Sequence, residues 1–169
     1  SDEKLQAIDL KPATEDVFEL AARKSLALAR EWNPQRGAPV FTEGGKYTTR
    51  GWTEWTQGFQ YGCLILAGEG ASDDSLIELG RELTLEMMLP HVTHMGVHDH
   101  GFNNLSTYGN LLRLMHRGRL TGDRYQQKLY ENAIAASGAV QAARWSTTSC
   151  GLRSEEHTSE LQSRPHSSY

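Results

Sequence analysis

Apolar residues recur at helical spacing in five stretches of this chain, separated by polar connections of unequal length. In the first, Val17, Ala21 and Leu28 fall on one side of a helix, with Phe18, Ala22 and Ala29 beside them. That is the broad apolar stripe of a helix with one face on a core. Thr14 with Glu15 and Asp16 supplies the start, because a hydroxyl and early carboxylates serve the free N–H groups of a first turn. Asn33-Pro34 ends the helix after Trp32, since a residue before proline is driven out of helical geometry. The second stretch, Gly62-Cys63-Leu64-Ile65-Leu66-Ala67, is apolar on all sides and predicts an inner, buried helix with Cys63 in the core.

Ser72-Asp73-Asp74 caps a third helix, on which Leu76, Leu79, Leu83 and Met87 repeat at helical intervals. Pro90 closes it, and Arg81, Glu82 and Glu86 mark its solvated side. Asn103 or Asn104 caps a fourth helix carrying Leu105, Tyr108, Leu112 and Met115 and ending near Gly118. Thr121 caps a fifth, with Tyr125, Leu129, Ala136, Val140 and Ala143 on its apolar side, and Arg144-Trp145 packs at its end. Asp123, Arg124 and Glu131 lie on a solvated face.

The connections refine this all-α picture. Residues 33 to 51 are rich in Gly, Pro, Thr and charge and form a long link, with a short extended piece at Val40-Phe41 or Lys46-Tyr47-Thr48-Thr49. Gly70-Ala71-Ser72 and the segment from Gly118 to Thr121 are short turns joining antiparallel neighbours. Long loops alternating with short turns make stacked helical hairpins whose long loops share one end.

Composition narrows the function classes. A net charge of -4 offers no broad basic surface for nucleic acid. No window approaches 18 consecutive apolar residues, so no membrane span is expected. The start Ser1-Asp2-Glu3-Lys4 lacks a signal-peptide layout, which leaves a cytoplasmic or a periplasmic setting open. Cys63 and Cys150 have no redox or metal spacing. The last stretch, beginning Arg153-Ser154-Glu155-Glu156-His157, resembles the peptide that one frame of a common sequencing-adapter DNA encodes. The chain therefore divides into a helical domain, 1–152, and an artefactual or disordered tail, 153–169, with the natural protein expected to continue differently.

Chemistry concentrates at Val97-His98-Asp99-His100-Gly101-Phe102, on the loop between the third and fourth helices. His91, His94, His98 and His100 lie within ten residues, but their spacing matches no zinc motif and no second cluster accompanies them; no metal or other cofactor is expected. A loop aspartate ordinarily caps the next helix, yet Asn103 and Asn104 stand in better capping positions than Asp99. Imidazoles, Phe102 and the freedom given by Gly101 suit a carboxyl whose protonation is tuned in a partly desolvated pocket. Trp52, Trp55 and Phe59 supply a second element. Trp52 is expected in the core, while Trp55 and Phe59 are candidates for an aromatic platform under a sugar ring. Asn104-Leu105-Ser106 is a formal glycosylation triplet, read as coincidence.

The two segments together carry a resemblance. Trp55-Thr56-Gln57-Gly58-Phe59-Gln60-Tyr61-Gly62, followed by His98-Asp99-His100-Gly101-Phe102, resembles the pattern of glycoside hydrolase family 88, the unsaturated glucuronyl hydrolases, over roughly residues 14 to 150. In that family W-T-x-G-F-x-x-G precedes H-D-x-G-F. The resemblance implies an (α/α)6 barrel or toroid, of which this chain holds the first two to three hairpins. It implies action on the unsaturated uronic acid at the non-reducing end of lyase-made oligosaccharides, with Asp99 the first of two essential aspartates, His98 its neighbour, and Trp55 and Phe59 pocket aromatics. The second aspartate is expected beyond residue 152, so the chain alone should be a poor catalyst. His100 stands where many members have an apolar residue. The alternatives are another α/α-barrel enzyme, such as a rhamnogalacturonyl hydrolase or sugar epimerase, and a non-catalytic helical-repeat binding module.

Overall fold

A proline in the second position opens the first long helix, α1 (Lys11–Glu31), because it needs no donor there and its fixed φ suits a first turn. The computed structural model describes residues 6–147 together with Arg153 and Ser154. Helix α1 begins three residues before the expected Thr14, whose hydroxyl donates back to the Leu10 carbonyl at 2.9 Å and caps nothing. Its end at Trp32 is as the sequence predicts.

The long link then folds into a hairpin, β1 (Pro39–Glu43) and β2 (Lys46–Thr49), so both extended pieces form and pair antiparallel. Gly44 and Gly45, at φ 57° and 76°, make its two-residue turn, in left-handed geometry that residues with a Cβ adopt at a cost. Five further helical elements follow: α2 (Thr56–Ala71), α3 (Asp74–Met87), the short α4 (Leu89–Val92), and a π-helical segment, Gly101–Gly109, running straight into α5 (Asn110–His116). The last long helix is α6 (Arg124–Arg144). The minimal strands β3 (Ser146–Thr147) and β4 (Arg153–Ser154) pair antiparallel. The rest of the expected tail, and Cys150, lie outside the described residues.

Glycines report how the helices run. Phe18, early in α1, packs on Gly70, late in α2, so these two are antiparallel. Gly68 meets Ile77 and Gly80 meets Ile65, which makes α2 and α3 antiparallel as well. In contrast Gly58 lies on Phe102 and Asn103 while Gly62 lies on Ser106, so α2 and the π-helical segment run parallel and start at the same end. His100 bonds Ser137 and Tyr108 stacks near Tyr130, which sets α6 antiparallel to that segment. The outcome among the described residues is a mostly helical molecule with two small antiparallel strand pairs, in which α2 is central, flanked by α1, α3 and the π-helical segment. Tyr61, Ile65, Tyr108, Leu111, Leu114 and Tyr130 form the middle of the core; each such side chain contributes roughly 2 kcal/mol by leaving water.

Several expected details change. Asp73 does cap α3, accepting from the backbone of Ser75 and Leu76 at 2.9 and 3.3 Å. Asn103 and Asn104 cap no helix; they sit inside one, fully buried, and a glycan on Asn104 is excluded for the same reason. Helix α6 is capped by Asp123 and not by Thr121, through a reciprocal pair with Gln126. Its buried face carries Tyr130, Ala133, Ser137 and Arg144, whereas Tyr125 is 84% exposed and Leu129 is also exposed. Polar Ser137 and Arg144 hid the true inward face from an apolar-periodicity reading. Leu105 is exposed too, because the wider π turns shift which residues face inward after Asn104. Cys63 and Trp52 are exposed, not core. No helix among the described residues is long and apolar enough to cross a membrane.

Candidate functional site

Asp99 sits on the bend that leads from α4 into the π-helical segment, and its backbone carbonyl accepts from Asn103 N–H at 3.0 Å. Its side chain caps no helix. The carboxylate is 16% exposed and its Oδ1 lies 3.4 Å from Nε2 of the more exposed His98. The two side chains, with Gly101, Phe102 and Leu105, line an open hollow of ≈ 380 Å³.

Phe102 is the wall between this hollow and the tryptophan segment. Its ring centroid lies 5.7 Å from Trp55 and 5.6 Å from Phe59, and those two meet edge to face at 5.4 Å, a favourable aromatic geometry. All three rings are partly exposed, Trp55 at 40% and Phe59 at 37%. What holds them in register is the contact beneath: the Gly58 N–H donates to Asn103 Oδ1 at 3.0 Å, and a Cβ at Gly58 would fall 2.3 Å from the Phe102 carbonyl oxygen. Trp55 and Phe59 themselves face a second, larger groove of ≈ 750 Å³ between α1, the hairpin and the start of α2. The four residues singled out in the sequence thus occupy two adjoining hollows that share the Phe102 partition.

Behind Asp99 lies a buried polar network whose only trace in the sequence is the clustering of histidines. His100 Nε2 lies 2.7 Å from the His94 carbonyl and so donates to it, leaving Nδ1 to accept from Ser137 Oγ at 2.9 Å. Ser137 Oγ in turn accepts from Asn104 Nδ2 at 3.0 Å, and the same amide donates to the His91 carbonyl at 3.2 Å. His91 Nε2 reaches Gln57 Oε1 at 2.6 Å. Arg144 closes the far side by donating to the Met95 carbonyl. These bonds pin both ends of the loop that carries Asp99. Burial, followed by the nearby His94 and His100, pushes His91 down to about 4. His94 is lowered first by burial, then by His100 and Arg144. Trp52 covers this pair from outside, its ring 5.3 Å from His91 and 5.0 Å from His94.

The four histidines of the loop therefore do different things: His91 and His100 are buried structural groups, His94 is half-buried, and His98 alone reaches the hollow. Among the described residues no three His, Cys, Asp or Glu side chains converge as a metal site would need. Comparison with family models, with curated proteins and with solved structures finds no match to this chain.

Proposed function

We propose that this chain is the first part of an (α/α)6 toroid glycoside hydrolase resembling the unsaturated glucuronyl hydrolases, with Asp99 as one of two catalytic carboxyl groups. The observation that carries the reading is the packing of Gly58 on Phe102 and Asn103. Two segments far apart in sequence are joined by the Gly58 N–H bond to the Asn103 side chain and by close backbone approach, which sets a carboxylate, an imidazole and three aromatic rings around one pair of hollows.

The substrate class is an oligosaccharide ending in an unsaturated uronic acid, a cyclic enol ether. Protonation at C4 and addition of water at C5 give a hemiketal, which rearranges and expels the remaining sugars. Carboxyl separation therefore does not govern stereochemistry as it does in displacement at an anomeric carbon. Asp99 takes the charged, orienting role, and His98 at 3.4 Å holds its carboxylate. The acid/base partner is a second carboxyl on a later hairpin, in an environment that keeps it protonated.

The test uses the natural protein that carries this segment and follows the enol-ether absorbance of lyase-made disaccharides. Loss of the band, with Asp99→Asn slowing turnover by about a hundredfold or more while folding is unchanged, supports the assignment. No loss of the band in the parent protein overturns the hydrolase reading. Near-normal turnover by folded Asp99→Asn overturns the role of Asp99. Saccharide binding without turnover points to the binding-module alternative.

A further inference from the structure

We infer that the groove between α1, the hairpin and α2 is a separate saccharide subsite that takes a uronic acid ring beyond the one held at Asp99; this rests on the oligosaccharide reading above. The groove, at ≈ 750 Å³, is about twice the size of the Asp99 hollow and lies within the range of small-ligand sites. Trp32, Tyr47, Trp55 and Phe59 contribute to its walls, and flat apolar rings are what the C–H faces of sugars pack on.

Two acceptors at its lining ask for a donor. Gln60 is 9% exposed and its Oε1 has no hydrogen-bond partner among the described residues, and Thr56 Oγ1 is in the same condition. A buried acceptor left unpaired is unfavourable, and a sugar hydroxyl is the kind of group that relieves it. Charge selects the sugar: Lys24, Arg36 and Lys46 line the groove against a single acid, Glu31, in a chain whose overall charge is -4. This local reversal of sign fits a carboxylate. Position then links the two hollows. Helix α2 and the π-helical segment begin at the same end, and the Phe102 ring stands between the groove's Trp55 and Phe59 and the Asp99 hollow. An oligosaccharide lying across Phe102 would meet both.

Cys63 lines the groove as an exposed thiol and reports on its occupancy. Alkylation of Cys63 in the full chain is followed by peptide-resolved mass spectrometry, with a saturated hexuronate oligosaccharide or its carboxyl-reduced neutral counterpart present. Simple occupancy slows labelling about tenfold at ten times Kd. The uronate should protect and the neutral sugar should not. Lys46→Glu and Tyr47→Ala, both at exposed hairpin positions, should abolish protection, while Asp99→Asn retains it. Absence of uronate protection in the parent chain at millimolar concentration, or equal protection by the neutral sugar, overturns the inference. Where a hairpin variant misfolds, the two-sugar comparison on the parent chain still decides. Because the probe has no unsaturated end, this readout is independent of the enol-ether assay, and either can fail alone.

Discussion

The backbone N–H of Gly58 donates to the side-chain carbonyl of Asn103 at 3.0 Å, in the buried seam where α2 and the π-helical segment run side by side. Both partners are fully enclosed, so the bond is made away from water and the approach is too close for any side chain at position 58. The loop carrying Asp99 and the turn carrying Trp55 enter their helices from this seam.

Gly58→Ala should therefore be among the most damaging small substitutions. Its methyl group would lie 2.3 Å from the Phe102 carbonyl oxygen and 2.4 Å from Asn103 Cα, which are backbone atoms with no rotamer to yield. A loss of about 3 kcal/mol or more is expected in urea unfolding. Asn103→Ala leaves the Gly58 N–H buried without an acceptor and should cost about 1–3 kcal/mol. A Gly58→Ala variant as stable as the parent would mean that the two motif segments are not packed in this way.

His91 makes stability depend on pH. Its folded-state value of about 4 lies below the ordinary 6.5, so the unfolded chain binds the proton more readily. The stability tied to neutral His91 is complete above about pH 6.5 and is lost as pH falls towards 4, with an upper bound of roughly 3 kcal/mol. The downward shift at His94 acts in the same sense. Thermal melts between pH 7 and 4 should show a decline that is shallower in His91→Gln than in the parent; parallel curves would remove His91 as the cause.

The two faces of α6 should respond oppositely to truncation. Tyr130 is fully buried against Tyr108, and Tyr130→Ala should cost about 3 kcal/mol or more. Tyr125, at 84% exposed, should tolerate Tyr125→Ala within about 0.5 kcal/mol in the isolated chain. The comparison is read from denaturant midpoints at constant slope. A large cost at Tyr125 would show that its face is covered in solution.

Local signals in the sequence determined a good deal. The end of α1 at Asn33-Pro34, the Asp73 cap, and the joining of α2 to an antiparallel α3 by a short turn are encoded within a few residues each, whereas the apolar stretch inside α2 is buried at Leu64, Ile65 and Ala67 but exposed at Cys63 and Leu66. Those three local signals need no knowledge of what lies across the core. Asp99, His98, Trp55 and Phe59 stand out in the sequence by residue type and order, and the fold sets them on two hollows.

Only the tertiary structure decided which faces turn inward and what the polar residues do there. Asn103 and Asn104 read as caps because a local rule favours them at helix starts, but burial against Gly58 and Ser137 gave them donors and acceptors that no local rule foresees. The inward face of α6 departs from its apolar periodicity for the same reason, since Ser137 and Arg144 are buried through partners on other elements. Trp52 and Cys63, apolar by type, stay exposed, because α2 turns Tyr61, Leu64 and Ile65 inward with Cys63 on its outer side, and Trp52 lies over His91 and His94 from outside. Helical periodicity reports a residue's angle on its own helix; whether that angle meets core, water or a hydrogen-bonding partner is set by neighbours distant in the chain.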